Sequence, residues 1–421
     1  MKKSLTSMMT GAVALAAAVP AIAEVPAKPT FTKDILPILQ ENCQTCHRPA
    51  GLNLSGMIAP MSLMTYQEVR PWAKSIAKAV NAKTMPPWDA SDKYDGVFHN
   101  ERTLTQDEID TISKWVEMRA PRGNPADSPE PIEFSNTGWN FGEPDLVVGF
   151  DEPFFVPDEI QDLYENITVE ITEEQMSKDN WISGIEFKPG SEVVHHIIGH
   201  AHAPAGDHDR NDQNTRGMLG GNAPGADEST WPEGYGIELK KGSKITFAMH
   251  YHKESGPGTG MFDSSEIGFQ FHDDDVVVEH PIEISTVSHG AFTIPPHAER
   301  WKVGGARILD EASTLLSILP HMHLRGTEAR YTAFYPDGTS EELLHVPNWD
   351  FNWQTGYEFK EPKLLPAGTR MEMEFWFDNS ETQAAKAGFN PNRAISFGGP
   401  TTDEMDLAWM TFAPTNPVSS D

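Results

Sequence analysis

A period of two constrains this chain more than any other feature. In "KITFAMHYH", residues 244 to 252, Ile245, Phe247, Met249 and Tyr251 alternate with Thr246, Ala248, His250 and His252. In "RMEMEFWF", residues 370 to 377, Met371, Met373, Phe375 and Phe377 alternate with charged neighbours and Trp376. Such alternation buries one face of a strand and leaves the other to polar groups. From residue 146 onward, short runs of this kind recur between Gly, Pro, Asn and Asp breaks, with little 3.6-residue periodicity. They predict antiparallel β-structure of the sandwich or jelly-roll type. About 275 residues are more than one core usually serves, so two such units are expected, divided near residue 285.

The first 145 residues have another texture. "MKKSLTSMMTGAVALAAAVPAIAE" sets Lys2 and Lys3 before an apolar run ending Ala21-Ile22-Ala23, the pattern of a secretory leader cut near Ala23. No later run reaches the roughly 18 apolar residues of a membrane-spanning helix, so no membrane span is expected. The only cysteines are Cys43 and Cys46, and an exported chain without a disulfide framework suits a bacterial periplasm. "FTKDILPILQENC" carries Ile35, Leu36, Ile38 and Leu39 on a helical stripe. "TLTQDEIDTISKWVEMRAP" places Thr105 and Glu108 at capping-box spacing ahead of Ile109, Ile112 and Val116. Pro, Gly, Ser and Asn then dominate up to Asp145, as in a linker. The expected organisation is a leader over 1–23, a helical module over 24–122, a linker over 123–145, and β-domains over 146–285 and 286–421.

Both cysteines fall in "ENCQTCHRPAG", the C-x-x-C-H pattern of covalent haem attachment. The two thiols add to the haem vinyl groups, and His47 is placed to ligate the iron. A redox dithiol of the thioredoxin type would need a βαβ context, and the flanks here read as helical. One motif means one haem c, passing one electron at a time. In "AKTMPPWDA", Met85 stands in a loop stiffened by Pro86 and Pro87 and is the expected sixth ligand, with Met57, Met61, Met64 and His99 as competitors. With a helix before the motif and one closing the segment, residues 24–122 resemble a small class I cytochrome c. That resemblance implies an all-α domain.

Sixty-two acidic residues against 32 basic ones leave a net charge of −30. Such a field repels nucleic acid and anionic membrane surfaces. Of the 16 histidines, only His47 and His99 precede residue 146. His195, His196, His200 and His202 form one group, His250 and His252 a second, and His321 and His323 a third. H-x-H on a strand puts two imidazoles on one face, roughly 7 Å apart at Cα, where they can converge on one ion, and imidazole suits copper and zinc. His208, His272, His280, His289, His297 and His345 have no partner pattern and read as ordinary solvated histidines.

Taken in order, "VVHHIIGH", "MHYH", "HMHLRG" and "TTDEMDLAWM" resemble the copper sites of the type II copper monooxygenases, the family of peptidylglycine α-hydroxylating monooxygenase and dopamine β-monooxygenase. The resemblance implies a first copper held by His195, His196 and His250, which stores and forwards an electron. It implies a second held by His321, His323 and Met405, where dioxygen is reduced and a C–H bond of the substrate is hydroxylated. His252 is the alternative to His250, while His200 and His202 read as outer or surface groups. In the peptide-amidating members an arginine, an asparagine and a tyrosine hold the substrate carboxylate. Here those positions are Leu319, Leu407 and Trp409, which points away from a carboxylate and toward a small neutral or amine-bearing organic substrate. The family's disulfides are absent as well.

The expected fold is therefore a small all-α cytochrome c domain followed by two antiparallel β-sandwich, jelly-roll copper domains. The expected function is that of a periplasmic copper-dependent monooxygenase with two copper ions and one haem c, the haem relaying electrons from a periplasmic donor in place of the family's ascorbate. The competing reading is a non-catalytic haem and copper protein for electron transfer or copper handling. A haem–copper nitrite reductase would need a cysteine-ligated copper, and no cysteine is free.

Overall fold

The computed structural model describes residues 25–49, 59–134, 138–204, 217–223 and 228–415. The leader, Met57 and His208 lie outside the described residues. No helix among the described residues is long and apolar enough to cross a membrane.

Near the N-terminus, helices form where the stripes predict them. Thr105 caps the Gln106–Glu117 helix, its hydroxyl accepting from the Glu108 amide at 3.3 Å while the Glu108 carboxylate accepts from the Thr105 amide at 2.8 Å. This helix packs with Leu36–Asn42 and Ala73–Asn81 around Phe31, Ile35, Leu39, Val69, Ile112 and Trp115.

The expectation of an all-α cytochrome c domain is nevertheless corrected. Strands take 38% of the described residues and helices only 15%, and the α-helices among them run from four to twelve residues. Residues 88 to 100 turn away from the helices altogether. Ala90, Tyr94 and Phe98 are buried in the apolar core of the C-terminal β-region, with Trp88 and Val97 packed beside them. The helical stripes determine which residues turn toward a neighbour, but not whether that neighbour is another helix. Here the aromatic segment after Met85 is recruited by a sheet.

The expected pair of jelly rolls is corrected too. Four principal sheets are present among the described residues. The first is six-stranded, with Asn180–Lys188 between Glu266–Phe271 and Tyr235–Leu239. The second runs Asp162–Glu170, Lys244–His252, Val194–His202, Met218–Asn222. The third runs Glu283–Val287, Leu407–Pro414, Ser313–His321, Tyr357–Leu365, and the fourth Trp301–Ile308, Arg370–Phe377, Gly326–Phe334, Ser340–Val346. A period of two reports that each strand is half-buried; it carries no information on the order in which strands pair.

Two large apolar cores result. Ile182, Ile185 and Phe269 of the first sheet meet Ile197, Phe247 and Met249 of the second, while Leu315, Ile318 and Met410 of the third meet Tyr331, Met371 and Phe375 of the fourth. The histidines lie on the faces turned away from these cores.

The segment 88–100 is best described as a strap. Its backbone pairs with the Tyr357–Leu365 strand through His99 N to Glu358 O at 2.6 Å and Lys360 N to Val97 O at 3.0 Å. Trp88 and Phe98 both pack on the buried ring of Tyr357, at 5.0 and 5.3 Å between centroids. Lys93 and Tyr94 each reach the carboxylate of Glu342, at 2.6 and 2.9 Å.

Candidate metal centres

In the second sheet, His196 and His250 are cross-strand partners, and so are Asp162 and His252, and Tyr164 and His250. His195 breaks the pattern: the register shifts between Val194 and His196, so His195 is an extra residue in a bulge. Adjacent residues of a regular strand diverge, and a bulge re-aims one of them. As a result His195 Nδ1 and His250 Nδ1 each stand 3.3 Å from His196 Nδ1. A single small ion can be reached by all three rings.

Asp162 accepts from His250 Nε2 at 3.0 Å and from His252 Nδ1 at 2.9 Å, on the same oxygen. With its proton on Nε2, His250 presents a lone pair at Nδ1. This is how an outer carboxylate usually fixes the tautomer of a metal-binding histidine. Burial alone would raise the pKa of Asp162, but the hydrogen bonds from His250 and His252 overcome it and hold the carboxylate at about 2. Burial pushes His195 down to about 3, helped by the neighbouring His250, His252 and His321, and pushes His196 well below the ordinary range. His250 is lowered by burial too, against the pull of Asp162. The rings are thus neutral, the form that binds metals. Asp162, His250 and His252 form a second compact donor group.

The other group forms where the Ser313–His321 strand ends. His321 Nδ1 donates to Gln354 Oε1 at 2.7 Å, which leaves Nε2 as its free nitrogen. His323 Nδ1 is buried without a hydrogen-bond partner, although the Asp403 backbone lies close to the ring. An orphaned imidazole nitrogen in a buried site is costly unless something binds it. Burial lowers His321 to about 4, against the Gln354 bond, and holds His323 well below its ordinary range. Glu404, fully buried, accepts from the amides of His323 at 2.8 Å and Arg325 at 2.6 Å. Burial raises it to about 8 in spite of those bonds.

Met405, next in sequence, lines a cavity of about 380 Å³ together with His196, His321 and His323. Leu319, Leu407 and Trp409, the three positions that depart from the peptide-amidating pattern, line the same cavity, as do Tyr164 and Asn100 of the strap. The two histidine groups are neighbours. His196 and His321 lie 6.2 Å apart between ring centroids. A second cavity of about 500 Å³ opens on His195 and His252 from the other side and is bounded by Phe351, Asp350 and Lys386.

Around the C-x-x-C-H motif, His47 Nδ1 donates to Met61 O at 3.1 Å, leaving Nε2 free. Burial, then the charges of Cys46 and Glu108, push the Cys43 thiol up to about 12. Met85 is 43% exposed in the loop leading into the strap. His200 and His202 stack on each other at 6.5 Å, and His202 bonds to Thr246 rather than joining the cluster.

Sequence reasoning missed Asp162, Tyr164, Gln354, Phe351 and Glu404. Tyr164 stacks on His250 at 4.2 Å and donates to Gly399 O, bridging the two β-regions. "DLYENITVE" does place Asp162 and Tyr164 on one strand face, but only the pairing with Lys244–His252 reveals which face that is.

No family model matches the sequence, and no curated protein matches it. Among solved structures, the similarities are slight. They include a subviral particle of infectious bursal disease virus VP2 (TM-score 0.17, 9% identity, 56% of this chain and 58% of that one) and PNGF-II (TM-score 0.26, 11% identity, 64% and 66%). Oxalate decarboxylase from Bacillus subtilis is a third (TM-score 0.14, 7% identity, 69% and 86%). The chain spans under three fifths of the length of the first of these. At such TM-scores none bears on what the histidines do.

Proposed function

We propose that this chain is an exported, periplasmic copper-dependent monooxygenase that hydroxylates a C–H bond of a small organic substrate. The observation that carries the reading is the convergence of the Nδ1 atoms of His195, His196 and His250, one ring away from a cavity lined by His321, His323 and Met405. The donor chemistry fits copper: neutral imidazoles in both groups, and a thioether in the second that favours the cuprous state. Copper in the second group would supply the reduction of O₂, with one oxygen atom going to the substrate and the other to water, at the cost of two electrons. Cys43, Cys46 and His47 would hold a haem c, which would supply the carrier of those electrons. It is supported by the motif and by the free Nε2 of His47. Met85 is the proposed sixth ligand, although the loop leaves it exposed.

The protein's own groups do the rest. Asp162 holds His250 with Nδ1 directed at the first centre, and Gln354 holds His321 with Nε2 free. Leu319, Leu407 and Trp409 give the cavity apolar walls, and no described residue of its lining is a Lys or Arg that could pair with a carboxylate. A neutral or amine-bearing substrate of modest size is the class such walls accept. His321 and His323 are themselves buried where they line this cavity.

The test is metal analysis of the full chain followed by oxygen uptake with a panel of amines, sulfides and hydrocarbons. Two coppers and one iron per chain, with substrate-dependent uptake, are expected. Zinc, or a single copper, would contradict the reading. Two coppers without oxygen uptake would favour the electron-transfer or copper-handling alternative.

A further inference from the structure

We propose that the loop 349–356, "WDFNWQTG", orients one histidine in each centre and is itself anchored by the strap of the N-terminal module. The inference rests on the copper reading above and deepens it. Gln354 Oε1 accepts from His321 Nδ1 at 2.7 Å while its Nε2 donates to Phe351 O at 3.0 Å, so the amide cannot turn over without losing both bonds. Phe351 lies flat on His195, with 4.9 Å between centroids and 20° between planes. One loop therefore touches His321 of the second centre and His195 of the first.

The loop is pinned at both ends. Trp349 Nε1 donates to Pro320 O at 3.2 Å, next to His321. At the other end Asn100 of the strap donates from Nδ2 to Gly356 O at 2.7 Å and accepts from Glu358 N at 3.2 Å. The Arg102 guanidinium sits 5.4 Å from the Trp353 ring centroid. The strap follows directly from the Met85 loop, so a change in the N-terminal module has a continuous packed route to the ligands of both centres. Gln354 and Phe351 are positioning residues. They hold rings whose nitrogens face the metal and need not touch substrate.

The test uses the full-length, copper-loaded chain, reading Cu(II) electron paramagnetic resonance and copper affinity by chelator competition. Gln354→Leu is expected to weaken one of the two coppers about 10- to 100-fold and to change its spectrum, the usual effect of removing such an outer partner. Gln354→Glu, which keeps an acceptor oxygen, should restore both. Phe351→Leu should alter the signal of the other copper, and Asn100→Ala should shift the signal that Gln354→Leu shifts, by less. A merely structural loop would lower the melting temperature in these variants and leave the spectra alone. That result in Gln354→Leu overturns the proposal, and an unchanged spectrum in Asn100→Ala overturns the anchoring by the strap.

If the wild-type chain takes up no nitrogen-ligated copper, the monooxygenase reading fails. The tautomer of His321 in the metal-free chain, read from ¹⁵N imidazole shifts, then decides the positioning claim. Protonation at Nδ1 that is lost in Gln354→Leu sustains it, and an unchanged tautomer ends it.

Discussion

The two histidine groups solve one problem, how to aim imidazoles at a shared point, by different means. The first is built inside a sheet. Strand register brings His250 and His196 face to face, a bulge turns His195 toward them, and an ionised carboxylate fixes the tautomer from the neighbouring strand. The second is built where a strand has ended. His321 and His323 are held by a loop amide and by a buried carboxylate that grips the backbone rather than the rings. Sheet geometry is shared among many bonds, so loss of any one outer group should weaken the first site without abolishing it. The second depends on a few groups with no substitutes.

The largest effect is expected from Glu404→Ala. It removes the acceptor for two buried amides, and a buried donor left unpaired costs about 1 to 3 kcal/mol. Chemical denaturation should show that loss, and the second copper should disappear with the first retained. If both coppers persist, the contrast between the sites is wrong.

Next comes Asp162→Ala. Here a weakening of the first copper by about 10- to 100-fold is expected, with little loss of fold, measured by copper competition. Equal weakening of both coppers would mean that the centres are not separable.

The smallest and sharpest test is pH, applied to the metal-free chain. Asp162 lies below its ordinary pKa, so its contribution to stability is present above about pH 4 and is lost as pH falls toward about 2. Its size is about 2 kcal/mol. Glu404 lies above its ordinary pKa, so it has the opposite sign: stability is greatest at low pH and declines as pH rises from about 4.5 through about 8. Asp162→Asn should flatten the acid limb of the stability curve, and Glu404→Gln the neutral limb. Exchange of these effects would refute the assignment of the two carboxylates.

The parts of the site visible in the sequence are those that depend on local spacing. H-x-H on an alternating strand puts His250 and His252, or His321 and His323, on one side whatever the fold around them. The C-x-x-C-H motif and the Thr105 capping box are local in the same way. What could not be read is what depends on partners distant in sequence. Whether His250 or His252 faces His196 follows from the register with Val194–His202, and Gln354 reaches His321 only because its loop folds back over the end of that strand. The all-α expectation failed for a related reason. Trp88, Tyr94 and Phe98 are apolar enough for any core, and their sequence does not say that the core belongs to a sheet more than 200 residues further on.

The bulge at His195 changes the parity of its strand. Val194 and Ile197 are three residues apart, an odd step, yet both are buried in the same core. Only a strand that has gained one residue can do this. The adjacent histidines and the bulge are therefore a single event. Deleting His195 would remove a ligand and leave a regular strand, in which Val194, His196 and Ile197 keep the faces and the cross-strand partners they have now. A pair of this kind cannot be built up by substitution in a regular strand; it has to arrive as an insertion, with the fold already able to absorb it.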